Sequence, residues 1–294
     1  MKKTVIGILL CLTVSLAGCG QKAQNTQGAD TSVDMVETNV EANANTEVDA
    51  NTEAEEIADA ETDVPVSDEV TIYMVRHGKT FFNTTGQVQG FCDSPLTGVG
   101  IEQAQLVGAG LKDVKFVAAY SGELGRQIKT AKLILEQNDN EIPMLVENVG
   151  FNEWNYGGYE GGTNAAMWNP IFEEYGYTFD EEWTHYGEVY EILGDRGIAD
   201  AIAANDALQA AESYDEILAR AGAAMNQLVE GSLAAGGGNV LVVSSGSQIP
   251  TILEMYVPDD YNGEDIGNCS VTILKYKDGN YTMEVVGDTS YREG

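Results

Sequence analysis

The sequence TIYMVRHG, residues 71–78, places a short apolar run directly before an arginine, a histidine and a glycine. A run of this length, rich in β-branched and aromatic side chains, predicts a buried strand. In an α/β fold, ligands bind outside the carboxyl ends of the strands. We therefore expect this strand to bring Arg76 and His77 together where chemistry takes place, and Gly78 to let the backbone approach an anion closely.

The pair of residues at the end of this strand is suited to phosphoryl chemistry. An imidazole can attack phosphorus while a neighbouring guanidinium holds and neutralises the phosphoryl oxygens. A three-residue match also arises by chance in a chain of this length, so the remaining sequence has to support the interpretation.

The patterning downstream predicts alternating strands and helices. Four apolar runs of strand length lie at 71–75, 116–120, 143–146 and 240–243. Helical periodicity covers about 98–111, 124–136 and 214–230, and two further strands at 270–276 and 281–286 flank the hairpin signal Asp278-Gly279. Buried strands that alternate with helices are typical of a parallel sheet covered on both faces. We expect a three-layer α/β sandwich with a mostly parallel sheet and an antiparallel C-terminal edge.

One stretch, about 161–213, interrupts this alternation. It is acidic and contains eight aromatic residues, among them Trp168, Tyr175, Tyr177, Trp183, Tyr186 and Tyr190. We interpret it as an inserted cap over the carboxyl-end cleft, where it would set substrate choice.

The N-terminal residues have the form of a lipoprotein signal. Lys2 and Lys3 precede an apolar run, which ends in the lipobox-like sequence Leu16-Ala17-Gly18-Cys19. We expect residues 1–18 to be a signal peptide that is cleaved before Cys19, and Cys19 to be diacylated. This predicts an extracytoplasmic protein, lipid-anchored to a bacterial cell membrane. A plain signal peptide or an uncleaved anchor is the alternative.

Residues 19–70 differ in composition from the rest of the chain. Between Gly20 and Val70, Lys22 is the only basic residue against fourteen acidic ones, and aromatic residues are absent. Such a segment buries too little apolar surface to offset its conformational entropy. We expect an acidic, disordered tether, with a binding tail as the alternative, followed by one folded domain at 71–294.

Charge and cysteine usage exclude some functions. The chain has a formal net charge of −32 and no basic patch, so nucleic acid is not an expected partner. Cys11 would leave with the signal peptide, and the domain retains only Cys92 and Cys269. No metal-ligand spacing is present, and we expect no metal and no cofactor. A disulfide between Cys92 and Cys269 is chemically permitted outside the cytoplasm, although two free thiols are the expectation.

Several further motifs follow the first in a fixed order. They are Lys79 to Asn83, Gln89 to Thr97, Ser121 to Arg126 with Thr130-Ala131, Glu153 to Gly157, Gly158 to Gly161, and Gly287 to Tyr291. In this order and at these spacings the chain resembles the histidine phosphatase superfamily, in its phosphoglycerate mutase-like branch. The resemblance extends over nearly all of residues 71–291.

The resemblance implies a role for each matching residue. His77 matches the nucleophile that becomes a phosphohistidine, and Arg76 and Arg126 match the guanidiniums that grip the non-bridging oxygens. Asn83 matches a polar contact to the phosphate, with a turn residue as the alternative. Glu153 matches the acid that protonates the leaving oxygen. Glu160 is the alternative acid, although a structural role is the expected one for it.

Two positions depart from the family pattern. Where the family normally reads Ser-His-Gly or Thr-His-Gly, with a second histidine that touches the phosphoryl group, this chain has Ser245. Ser245 could still donate one hydrogen bond to the phosphate. The other histidine of the chain, His185, lies in the expected cap and is interpreted as a surface or packing residue. Lys79 replaces the usual Glu or Gln, and either faces the pocket or pairs with a carboxylate outside it.

These observations predict phosphomonoester hydrolysis through a phosphohistidine on His77, weakened by Ser245. The expected substrate is a phosphorylated small molecule or another phosphoester. The alternative is a catalytically impaired surface module that binds a phospholigand, and a third, an envelope scaffold with a relic pocket.

Overall fold

The computed structural model describes residues 67–292, which contain one six-stranded sheet. The strands are β1 (Glu69–Arg76), β2 (Phe116–Ser121), β3 (Leu145–Glu147), β4 (Gly238–Ser244), β5 (Val271–Lys277) and β6 (Asn280–Asp288). Their order is β3-β2-β4-β1-β5-β6. The first four strands of this order are parallel, whereas β5 and β6 form an antiparallel edge. The predicted α/β class and sheet are confirmed.

Seven α-helices lie in the described part of the chain. They are α1 (Phe81–Thr85), α2 (Gly98–Gly110), α3 (Gly125–Leu135), α4 (Asn164–Glu174), α5 (Tyr186–Asn205), α6 (Tyr214–Ala234) and α7 (Gln248–Tyr256). Side-chain caps explain several starts: Thr97 accepts from the backbone N–H of Gly100, and Ser213 forms a capping box with Glu216. The short α1 and α7 were not predicted, because each is too brief for helical periodicity to identify it.

The sheet is covered on both faces, which explains the apolar strands. Val240 to Val243 of β4 are fully buried, as expected for a central parallel strand. One face packs Ile72 and Met74 against residues of α6 and α7. The opposite face packs Val75 and Val243 against residues of α2 and α3. Each large apolar side chain buried in this way contributes about 1.5–3 kcal/mol to folding.

The stretch expected to form a cap contains α4 and α5. Together with neighbouring residues they build a third apolar cluster, which includes Trp154, Trp168, Phe172 and Ile198. Helix α5 breaks at Gly194, whose φ of 58° and ψ of −177° only glycine adopts readily. Each helix within residues 67–292 is either too short or too polar to span a bilayer. The predicted signal peptide, residue 19 and the predicted tether up to residue 66 lie outside the described residues.

Strand register places the expected site residues side by side. Arg76 at the end of β1 pairs with Ser244 at the end of β4, and Ser121 at the end of β2 pairs with Val243. His77 follows at once and donates its backbone N–H to the carbonyl of Ser244 at 3.0 Å. The carboxyl ends of three adjacent parallel strands therefore meet at one edge, as the sequence predicts.

Candidate active site

The imidazole of His77 is buried and held in one tautomer. Its exposed fraction is 2 %, and Nδ1 lies 2.9 Å from the carbonyl oxygen of Gly78. Because a carbonyl only accepts, Nδ1 carries the hydrogen and Nε2 keeps a free electron pair. Burial lowers the pKa of His77 well below its ordinary value, and the charges of Arg126 and Arg76 lower this pKa further. The side chain is therefore a neutral nucleophile at neutral pH.

The glycine after His77 is required by close packing. A Cβ at Gly78 would lie 2.4 Å from the carbonyl oxygen of Gly100, so no larger residue fits without a backbone shift. Its N–H donates to Thr130 Oγ1 at 3.0 Å, and Thr130 donates to the carbonyl of Arg126 at 2.7 Å. This chain of bonds fixes the turn that carries His77 to helix α3, on which Arg126 lies.

Arg76, which precedes His77, keeps a hydrogen-bond donor without a partner among the described residues. Its Nη1 donates to the carbonyl of Ile266 at 2.7 Å, whereas its buried Nε has no partner among the described residues. Burial lowers the pKa of Arg76, and the carboxylates of Glu153 and Asp265 oppose that shift. A Cβ at Gly246 would come within 3.0 Å of the guanidinium carbon, so this glycine leaves room for the arginine.

Arg126 is fully buried and holds the loop at residues 89–93. Its two terminal nitrogens donate to Cys92 O at 2.9 Å, Asp93 Oδ1 at 3.1 Å, Gln89 O at 3.2 Å and Gly90 O at 2.7 Å. These four bonds use all four terminal hydrogens. The predicted bidentate grip of Arg126 on a phosphate is therefore not open to its terminal nitrogens in this structure.

The remaining donor of Arg126 is its Nε, which is buried and without a partner in residues 67–292, as is the Nε of Arg76. A buried donor left unpaired costs about 1–3 kcal/mol, and more when it is charged. Arg76 adjoins His77 in the chain, Arg126 is linked to the residue after His77 through Thr130, and the charges of both lower the pKa of His77. Unpartnered cationic donors are suited to an anion, and of these residues Arg76 lines the cavity described below, whereas His77 and Arg126 do not.

Glu153 is positioned by backbone groups. Its exposed fraction is 6 %, Oε1 accepts from the N–H of Trp154 at 3.0 Å, and Oε2 accepts from the N–H of Ser247 at 3.0 Å. Its carbonyl accepts from Arg220 Nη2 at 2.9 Å. Glu153 lines the same cavity as Arg76, and the two backbone N–H groups fix the orientation of its carboxyl group.

Glu160 has the structural role that was expected. Its carboxylate accepts from the backbone N–H groups of Gly90, Phe91, Cys92 and Tyr156 at 2.7–3.0 Å. Three of these bonds hold the loop at residues 89–93, to which Arg126 also bonds, and all four leave the carboxylate little freedom to act as an acid.

The cavity that Arg76 and Glu153 line has a volume of about 690 Å³. Asn83 also lines it, and Asn83 Oδ1 accepts from both the N–H and the hydroxyl of Thr80, so this residue closes a turn as well. Lys79 lines the cavity and forms no ion pair with any described residue, which favours the pocket-facing alternative.

Sequence reasoning missed several polar residues of this cavity, among them Ser247, Asn268 and Arg292. Asn268 Nδ2 donates to the carbonyl of His77 at 2.9 Å, and Arg292 donates to the carbonyl of Asn268. Asn268 and Arg292 lie more than 190 residues after His77 in sequence, so no local pattern connects them to the site.

Ser245 is fully buried and does not line the cavity. Its Oγ accepts a 2.8 Å hydrogen bond from Gln127 Nε2, which also donates to Phe151 O at 2.9 Å. The Gln127 side chain in turn lies against Gly122, where a Cβ would be 1.9 Å from Gln127 Oε1. Gln127 was not singled out in the sequence, because its side chain meets Ser245 only through the fold.

The other residues under question lie away from this cavity. His185 stacks on Tyr177 at 4.8 Å between ring centroids and lies 3.4 Å from Glu188 Oε1. Cys92 and Cys269 are both free thiols. Within residues 67–292, no group of three or more His, Cys, Asp or Glu side chains is arranged to hold a metal ion.

Comparison with known proteins points to one family. The profile described as "Histidine phosphatase superfamily (branch 1)" matches residues 72–289. The chain is also 27 % identical over 228 residues to a "Probable phosphoglycerate mutase GpmB" of Yersinia pestis (strain Pestoides F). That match covers 75 % of this chain and 94 % of the relative.

Solved structures of similar fold agree with this match. A phosphoglycerate mutase from Bacillus anthracis str. Sterne is 37 % identical, with a TM-score of 0.71, and the match covers 78 % of this chain and 97 % of that one. A mycobacterial glucosyl-3-phosphoglycerate phosphatase is 20 % identical, with a TM-score of 0.56 over 75 % of this chain and 99 % of that one. The latter likeness shows the fold alone.

Proposed function

Because the chain belongs to the histidine phosphatase superfamily (branch 1), its chemistry is phosphoryl transfer by a histidine, and we propose that it hydrolyses phosphomonoesters through a phosphohistidine on His77. One observation carries the proposal. The buried, neutral imidazole of His77 has a free Nε2, adjoins Arg76 in the chain and is linked to Arg126 through the bonds of Gly78 and Thr130. Each of the two guanidiniums keeps a buried N–H group without a partner among the described residues. A nucleophile and cationic donors in one buried site are what attack on a phosphate dianion requires.

In the first step, the electron pair of His77 Nε2 forms a bond to phosphorus and the bond from phosphorus to the ester oxygen breaks. The Nε groups of Arg76 and Arg126 donate to the non-bridging oxygens as their charge redistributes. Protonated Glu153 gives its proton to the leaving oxygen, so that a neutral alcohol departs.

In the second step, water attacks the phosphohistidine. The carboxylate of Glu153 takes one proton from the water, the bond between phosphorus and Nε2 breaks, and the electron pair returns to His77. Phosphate leaves, and Glu153 is again protonated. The cycle uses only residues that lie at the carboxyl edge of the sheet.

The N-terminal sequence leads us to favour hydrolysis over mutase chemistry. The lipobox-like sequence before Cys19 supports a lipid-anchored, extracytoplasmic protein, and a bisphosphorylated primer for a mutase would be scarce there. The relatives at 27 % and 37 % identity are described as phosphoglycerate mutases, so their names support phosphoryl transfer and the preference for hydrolysis rests on the N-terminal sequence.

A second candidate function is favoured by Ser245. Its hydroxyl carries no charge and lies buried behind the cavity, so the site has one fewer cationic donor than the resemblance implies. Loss of one such donor commonly slows an enzyme about 10²- to 10³-fold. A module that binds a phospholigand without turnover is therefore the alternative.

The test is an assay of the purified chain with p-nitrophenyl phosphate across pH, beside the variant His77→Ala. We expect hydrolysis that His77→Ala abolishes, and an acid-labile, base-stable phosphoprotein after rapid quenching. Phosphate binding without turnover or labelling would instead support the phospholigand module. Interconversion of 2- and 3-phosphoglycerate at a rate above hydrolysis would identify a mutase.

A further inference from the structure

A second cavity of about 410 Å³ adjoins the cavity that Arg76 and Glu153 line, which we call the anion site. We call it the aromatic cavity, because its walls include Trp154, Tyr156, Trp168, Tyr186, Tyr190 and Tyr261. Tyr156, Trp168, Tyr186 and Ser247 line both cavities. A molecule whose phosphate is held by Arg76 would therefore extend its alcohol part into the aromatic cavity.

The aromatic walls are fixed by their own packing. Trp168 and Tyr186 meet edge to face with ring centroids 5.6 Å apart, and Tyr186 stacks on Tyr190 at 5.9 Å. Tyr190 is held further by its hydroxyl, which donates to Glu254 Oε1 at 3.0 Å. Rings fixed in this way present π faces and edges to a ligand at little entropic cost.

One carboxyl group in this cavity lacks a partner. Asp195 is 7 % exposed, and its buried Oδ2 accepts no hydrogen bond from any described residue. It follows the break at Gly194 in α5 and lines the aromatic cavity. The nearby Glu254, in contrast, accepts from the hydroxyls of Tyr190 and Tyr214. Asp195 is therefore the buried acceptor that a ligand is needed to satisfy.

The charges that line the aromatic cavity have one sign. Asp195, Glu264 and Asp265 are part of the wall, whereas no lysine, arginine or histidine is. Burial raises the pKa of Asp195 to about 7, and the nearby carboxylates of Glu254 and Glu153 add to the shift. A cation in the cavity would relieve this repulsion, whereas a carboxylate there would increase it.

We propose that the aromatic cavity binds the alcohol part of the phosphomonoester, and that this part is a small organic cation, an ammonium-bearing alcohol. Ammonium groups are recognised by aromatic rings through cation–π attraction, and Asp195 supplies the counter-charge. The inference rests on the proposed function for its phosphate end. It also disfavours phosphoglycerate, whose carboxylate would lie beside Asp195 or Asp265.

The experiment compares choline phosphate with 3,3-dimethylbutyl phosphate, which has the same shape but carbon in place of the charged nitrogen. We expect kcat/KM to favour choline phosphate by about 10- to 100-fold, and calorimetry on His77→Ala to show the same preference in binding. Asp195→Asn removes the counter-charge and leaves the rings, so it should lower both ratios while part of the preference remains. Glu191→Gln, an exposed acid on the same helix, should leave both ratios unchanged.

The outcomes separate this inference from the proposed function. Hydrolysis of p-nitrophenyl phosphate with no preference between the two alkyl esters would overturn the inference and leave the phosphatase intact. Preferential binding of choline phosphate that depends on Asp195, without turnover of any ester, would uphold the inference and reject hydrolysis. If Asp195→Asn unfolds, the ratios of the unmodified protein still decide, and equal binding of the two esters overturns the inference.

Discussion

The side-chain amide of Gln127 donates a 2.8 Å hydrogen bond to the hydroxyl of Ser245, at the position where the family resemblance expects a second histidine. The two side chains are fully buried and come from α3 and from the residue after β4. Because Gln127 occupies the space next to Ser245, an imidazole at position 245 would meet the amide. The Ser245 hydroxyl accepts from Gln127, so its own hydrogen is free for another acceptor.

We predict that Ser245→His alone does not raise activity, whereas Ser245→His combined with Gln127→Ala does. Overpacking a buried site costs about 1–3 kcal/mol, so the single variant should unfold at a lower temperature. The double variant makes room for a cationic donor and should raise kcat on p-nitrophenyl phosphate about 10²-fold. Calorimetric melting and steady-state kinetics measure the two effects.

Gln127→Ala alone is the matched control, and it should show no gain in kcat. If Ser245→His by itself reached the rate of the double variant, the space next to position 245 would not be limited by Gln127.

The fold was predictable because its determinants are local. Apolar runs of five or so residues, such as the one ending at Val75, fix the strands, and glycine-rich turns separate them from helices that begin at capping residues such as Thr97. The parallel order then brings His77 and Ser245 to one edge. Helix α7 was missed because its nine residues supply too few turns for a clear apolar period.

From the sequence, individual residues of the candidate site could be singled out where one side chain carries one chemical role, as with His77 and Glu153. Their surroundings, a buried imidazole bonded to a carbonyl group and a carboxyl group held by two backbone N–H groups, come from the structure. The partners of Arg126 could not be predicted, since they are carbonyl groups whose directions depend on the path of the loop at residues 89–93. The roles of Gln127 and Asp195 likewise could not be predicted, because they depend on contacts with residues distant in sequence.

The pH dependence of the reaction should reflect the lowered pKa of His77. The ordinary pKa of histidine is about 6.5, and a side chain with that value would lose its nucleophilic form below this pH. Since burial and two arginines lower the pKa of His77, Nε2 stays unprotonated in mildly acidic solution. We expect kcat/KM to show no loss attributable to His77 between pH 7 and about pH 5.5. An acidic limb centred near 6.5 would contradict this assignment.

The lowered pKa of His77 also makes the free energy of unfolding depend on pH. The unfolded chain binds a proton at His77 below about pH 6.5, whereas the folded chain does not until the pH is lower, so acidification in that window favours unfolding. We expect the free energy of unfolding to fall less steeply with acidity in His77→Phe than in the unmodified protein. Urea titrations at pH 7.5 and 5.5 measure the difference, and parallel losses would show that His77 is not the group responsible.

Activity should fall when Arg126 is replaced, even by a residue that keeps the positive charge. Lysine has no Nε–H beside a fork of terminal nitrogens, so Arg126→Lys loses both the unpartnered Nε donor and the bonds to the loop at residues 89–93. We expect kcat/KM to fall at least about 10²-fold. Asp93→Asn, which keeps the loop carbonyl bonds and removes one partly exposed ion pair, should cost less than about tenfold. Equal losses in the two variants would mean that the ion pair, not the guanidinium fork, matters.

Substitution of Cys19 tests the proposed lipid anchoring independently of the catalytic site. If the sequence before Cys19 directs lipidation, the full chain expressed in a bacterium should partition into detergent and incorporate labelled fatty acid. Cys19→Ser should abolish both, whereas Cys11→Ser, within the predicted signal, should not. Label retained in Cys19→Ser would exclude Cys19 as the acceptor.

A comparison of two leaving groups distinguishes whether Glu153 acts as a general acid or only positions other groups. A general acid matters most when the departing alcohol is a poor leaving group, and little when the product is a stable phenolate. We expect Glu153→Gln to keep the hydrogen bond from the N–H of Ser247 or Trp154 through its amide oxygen, and so to keep the site folded. Its kcat/KM on an alkyl phosphate should then fall about 10²- to 10⁴-fold, while p-nitrophenyl phosphate loses about tenfold or less. Since the same variant is compared on two substrates, a change in folding would lower both rates together. Equal losses on the two esters would therefore assign Glu153 to positioning and leave the proton donor to another group of the cavity.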